Sequence, residues 1–175
     1  MQSARRRLLV ASLLAAAGGA LAQNTACPSE VLTLHGSALQ ASHVLTADDL
    51  AALPPELLGE FRQSRGAPGA EVASTVRGAR LVRLVERLGL TPAARADWKN
   101  LLVTVTATDG YRAHFTWVEL ANTPAGEGVL LVFERDGQRL DAREGRIALH
   151  ATGDFRLGAR HVRNALRVEV RPAPF

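Results

Sequence analysis
Cysteine is almost missing from this 175-residue chain: Cys27 is the only one. No internal disulfide can form, and a cluster of thiolates around a metal is excluded. Lysine is as scarce, Lys99 being the only one, so the basic charge is carried by arginine. We read that as compositional bias rather than as function. No run of about 20 apolar residues exists, the length a membrane-spanning helix needs. There is no Gly-x-Ser-x-Gly elbow and no phosphate-binding loop. None of the five histidines lies three or four residues from another, so no metal ligands are expected from spacing. No catalytic residue is assigned.

The N-terminus does carry a pattern. Arg5, Arg6 and Arg7 form a positive start, Leu8 to Ala17 is apolar apart from Ser12, and Ala20-Leu21-Ala22 offers small residues to a signal peptidase. This is the three-part organisation of a secretory signal. We therefore expect residues 1–22 to be a signal peptide, residues 23–175 a single mature domain, and the protein to be periplasmic. Ser3-Ala4-Arg5-Arg6-Arg7-Leu8-Leu9 also loosely resembles a twin-arginine signal. General-secretory and twin-arginine export both stay open. A lipoprotein anchor is rejected, because Asn24 stands three residues before Cys27 where leucine is wanted.

The formal net charge of +4 includes those three arginines, with no acid in the first 22 residues, so the mature domain is near +1. Nucleic acid is not an expected partner, since phosphate binding needs a concentrated basic footprint.

Along the mature chain, Val31 to Gly36 reads as a strand ending in a turn, and Ser42 to Leu45 as a second strand. Thr46 is placed to cap a short helix, with Asp48 and Asp49 in its first turn, and Pro54-Pro55 stops it. Gln63 to Ala70 reads as a loop. Val76 to Leu90 follows a helical period: Leu81, Leu84, Val85 and Leu88 share one face, Arg80, Arg83 and Arg87 form a solvated one, and Gly89 closes it.

Leu102 to Phe115 reads as a hairpin. A two-residue Asp109-Gly110 loop would pair Val105 with His114 and mix the faces. A three-residue loop, Thr108-Asp109-Gly110, pairs Val103 with Phe115 and Val105 with Ala113, and needs Gly110 at positive φ. Thr116 and Glu119 then match a capping box. Val129 to Phe133 reads as a buried strand, Asp136-Gly137 as a turn, and Arg146 to Leu149 and Leu166 to Val170 as two more strands. The class is α+β: a single compact domain, a mixed sheet with short helices.

The order of these features resembles the molybdopterin-binding domain of the sulfite oxidase family, in its small exported bacterial members. Four stretches carry the likeness. They are Val31 to Pro54, Val76 to Leu90, the Asp109-Gly110-Tyr111 hairpin with its capped helix, and the closing block. That block contains Asp136-Gly137, Gly145-Arg146 and Gly158-Ala159-Arg160-His161-Val162-Arg163. The resemblance implies a molybdenum atom held by a pterin dithiolene and one protein cysteine, with basic residues of the closing block on the pterin phosphate. Arg160 and Arg163 stand at the matching positions, with Arg146 and Asp109 the further candidate cofactor-binding residues.

The chain departs from the pattern where the family cysteine belongs, between the short helix and Val76, where Gln63, Ser64 and Ser74 stand instead. The Gly-Pro and Pro-Gly pieces of the closing block are reduced to Gly145-Arg146 and His150-Ala151. A serine cannot replace a thiolate as a soft ligand. The favoured expectation is a degenerate domain without cofactor that binds a small anionic ligand, a pterin or a protein partner. The alternative is a molybdopterin-dependent oxidoreductase subunit with non-cysteine ligation, receiving electrons from a membrane partner.

Overall fold
A computed structural model of the chain describes residues 29–65, 72–156 and 158–174. The expected signal peptide, Cys27 and residues 66–70 of the expected loop lie outside them.

Strand β1 (Val31–His35) alternates, so Leu32 and Leu34 are fully buried. It pairs antiparallel with β2 (His43–Thr46), Leu32 opposite Leu45. Thr46 then caps helix α1 (Ala47–Ala51) as expected: its hydroxyl accepts from the Asp49 N–H, and the Asp49 carboxylate accepts from the Thr46 N–H at 2.8 Å. These hydrogen bonds from Thr46 hold the Asp49 carboxyl below its ordinary range. A depressed carboxyl adds stability that is present above its unfolded pKa and is lost as pH falls through the lower folded value. Thr46→Val removes the capping hydroxyl that accepts from the Asp49 N–H and should cost about 1 kcal/mol at neutral pH. In urea titrations that difference should shrink at pH values acidic enough to protonate Asp49.

A single 3-10 turn, Pro55–Leu57, leads into two long strands, β3 (Leu58–Arg65) and β4 (Val72–Arg80), paired antiparallel with Phe61 opposite Val76. This corrects two expectations. Gln63 to Arg65 belong to a strand rather than a loop, and Val76 to Arg80 are strand rather than helix. The helix α2 is shorter, Leu81–Leu88, with Leu81, Val82, Leu84 and Val85 buried. Gly89 ends it at φ +92°, as expected. Val76, Ala79 and Val82 fall at helical spacing, but the strand Val129–Arg135 pairs with residues 76–80 and captures them by register. Gly78 permits that approach, since a Cβ there would lie 2.6 Å from the Leu131 carbonyl oxygen.

Helix α3 (Pro92–Ala96) leads to the hairpin β5 (Leu101–Ala107) and β6 (Arg112–Thr116). Its register is the expected one: Val103 faces Phe115 and Val105 faces Ala113. Ala107 N–H donates to Tyr111 C=O at 2.9 Å, which closes a three-residue loop with Gly110 at φ +87°. Helices α4 (Trp117–Asn122) and α5 (Pro124–Glu127) follow. Strand β7 (Val129–Arg135) then turns at Asp136-Gly137 into β8 (Gln138–Arg139). Strand β9 (Ala148–Ala151) begins two residues later than expected, and β10 (Ala165–Pro172) ends the fold.

The class is α+β, with two sheets. The first runs β2-β1-β10-β5-β6, mixed because β1 and β10 are parallel. The second runs β3-β4-β7-β8, with β9 also on β7. One core cluster unites Leu34, Val103, Phe115 and Val168 of the first sheet with Leu131, Phe133 and Leu149 of the second and with α2. A smaller cluster holds Val76, Leu130, Val132, Leu140 and Ala148. Adjacent β7 residues thus enter different clusters, so both faces of that strand are covered. That is why Val129 to Phe133 is apolar without alternation. Among the described residues no helix is long and apolar enough to cross a membrane.

Candidate functional site
The β5–β6 hairpin docks on the closing loop. Thr108 N–H donates to Asn164 C=O at 3.1 Å, and the Tyr111 hydroxyl donates to Ala159 C=O at 2.6 Å. Asp109, a candidate cofactor residue, accepts from the Tyr111 N–H at 2.8 Å and so shapes the turn.

Arg160 sits where hairpin, helix α4 and loop meet. Its guanidinium donates from Nε and Nη2 to the two carboxylate oxygens of Asp154, and from Nη1 to Glu119 Oε1 at 2.6 Å. Its Cζ lies over the Phe115 ring, 4.6 Å from the ring centre. The Asp154 hydrogen bonds hold its pKa further above the ordinary arginine range, burial works the other way, and Glu119 adds to the rise. The helix cap explains part of this geometry. Thr116 accepts from the Glu119 N–H as expected, but the Glu119 side chain, expected to complete a capping box, turns to Arg160 instead.

The other two candidates stand elsewhere. Arg163 is exposed. Arg146 is exposed, 3.8 Å from Glu30, and lines a pocket of about 390 Å³ with Thr46, Asp48 and Arg139. Asp109 and Arg160 therefore share the hairpin–loop junction, and Arg146 belongs to a separate depression.

A second polar assembly was not foreseen. Val162 and Leu149 exchange N–H···O=C bonds at 2.8 and 3.0 Å, an antiparallel bridge that sets residue 161 opposite residue 150. The His150 and His161 rings consequently meet, with centroids 4.1 Å apart. Glu144 joins them from the preceding loop, where the Asp141 carboxylate accepts from the N–H groups of Arg143 and Glu144 and fixes the turn. Those bonds, Glu144's first, lower the Asp141 pKa. Glu144 accepts two hydrogen bonds from Arg135 Nη2, one on each carboxylate oxygen, at 2.9 and 2.8 Å. Arg135 also reaches Ser74 Oγ at 3.1 Å, and Gln63 reaches the same hydroxyl at 3.3 Å. The residues standing in the segment of the expected cysteine are thus tied to the histidine pair.

These groups fit a molybdopterin poorly. No thiol stands among the described residues, and serine and glutamine amide oxygens are hard donors for a soft metal site. A phosphate brought to Arg160 would meet Asp154 and Glu119, two carboxylates that already occupy its fork of donors. No protein-family model and no curated protein matches the chain.

Proposed function
We propose that the protein is an exported, periplasmic binding domain of the sulfite oxidase molybdopterin-domain type that carries no redox chemistry. The observation that supports this most is the closure of Arg160 by its own chain. The group that the resemblance implies for pterin phosphate is engaged by Asp154 and Glu119 and stacked on Phe115. What serves as an anion clamp in the family works here as an internal fastener of the hairpin to the closing loop. The donor set around Gln63 and Ser74 supports the same reading, because it offers oxygen and amide groups where a molybdenum ligand would be sulfur. Binding of a small polar ligand or a protein partner then remains as the role of the domain.

The test is pterin extraction. Protein purified from its native compartment is denatured and oxidised, and the released pterin is measured by fluorescence. No pterin above the level of an unrelated exported protein is expected. One pterin per chain would overturn the proposal.

A further inference from the structure
Beyond that function, we infer that Glu144, His150 and His161 form a binding site for one divalent transition-metal ion, of which Zn²⁺ is the representative. Their ligand atoms all lie within 4.8 Å of one another, and His150 Nε2 is 3.9 Å from Glu144 Oε2. Zinc bonds of about 2.0–2.2 Å at tetrahedral angles place two ligand atoms roughly 3.3 Å apart. Closing the trio onto an ion thus needs small side-chain rotations rather than backbone movement.

Three features make this a built site. Two strand-like segments in fixed register supply the imidazoles: β9 carries His150, and the Leu149–Val162 bridge holds His161 opposite it. The carboxylate comes from a turn whose backbone is pinned by Asp141. Finally, Arg135 grips that carboxylate through both oxygens, as outer partners of metal ligands commonly do. An ionised carboxylate has about four lone-pair directions, so an ion can share Glu144 with Arg135. Two histidines and a glutamate leave a fourth position open, which suits binding of a small polar ligand through the ion. The site is largely enclosed, with His150 only 4% exposed.

The inference is tested on untagged, chelator-stripped protein titrated with Zn²⁺ by calorimetry, with Co²⁺ absorption as a second readout. One Zn²⁺ per chain is expected, with a tetrahedral-type Co²⁺ spectrum. Glu144→Gln and His161→Gln, both at partly exposed positions, should each weaken Zn²⁺ binding about 100-fold or more while keeping the wild-type circular dichroism. Cys27→Ser should change nothing. Absence of a saturable site, wild-type affinity in both folded variants, or loss of binding in Cys27→Ser would each overturn the inference. None of these results bears on the pterin measurement, so the two proposals stand or fall separately.

Discussion
Gly36→Ala will destabilise the protein by about 4 kcal/mol or more. Gly36 follows β1 at φ +132°, a conformation L side chains rarely adopt. The backbone contact matters more. A Cβ at this position would fall on the Val170 carbonyl oxygen, which already accepts from the Ala38 N–H at 3.1 Å. Val170 belongs to β10, the parallel partner of β1, so the clash cannot be relieved without parting the two strands at the centre of the first sheet. Gly110→Ala is the control. It also has positive φ, at +87°, but nothing lies within 4 Å of its Cβ position. It should cost only about 1 kcal/mol, the conformational penalty alone. Urea unfolding of the two variants separates strain from collision, and similar losses would show that the Gly36 contact has no force.

Arg160→Met will cost about 2 to 3 kcal/mol, whereas Arg163→Ala will stay within about 0.5 kcal/mol of wild type. Methionine keeps much of the length and apolar stem but removes every donor. Asp154 and Glu119 are then left side by side without their cation, and Phe115 loses the guanidinium stacked on it. The Arg160 side chain is about a quarter exposed, so water screens part of the loss, which places it below the range for fully buried pairs. Arg160→Lys should recover less than half, because an ammonium cannot span both Asp154 oxygens and reach Glu119. A phosphate-binding arginine would behave oppositely: its removal would leave stability intact or improve it. Thermal and urea unfolding of the three variants, without ligand, decide between these outcomes.

What could be read from the chain and what could not follows the range of the interactions. The β5–β6 register was legible because alternation of Val103, Val105, Ala113 and Phe115 around Asp109-Gly110 is a local matter. The Thr46 cap was legible for the same reason. Strand β4 is hidden, since its pairing with β7 spans 50 residues or more while its own sequence suits a helix. Strand β3 offered no apolar alternation either: Gln63, 2% exposed, occupies an inward position that pattern reading assigns to solvent. Arg160 drew attention as a cation near a glycine, but its partner Glu119 lies 41 residues away and nothing local announces it. The histidine pair was invisible to a search for helical spacing, because an antiparallel bridge joins positions 150 and 161.

The proposed function makes this an α+β domain that holds no molybdenum. Molybdenum counted per chain, in protein purified from its own host while that host makes the cofactor, tests it most directly. We predict molybdenum at the background of an unrelated exported protein. One atom per chain, lost together with pterin in an Arg160→Ala, Arg163→Ala double variant, would contradict it.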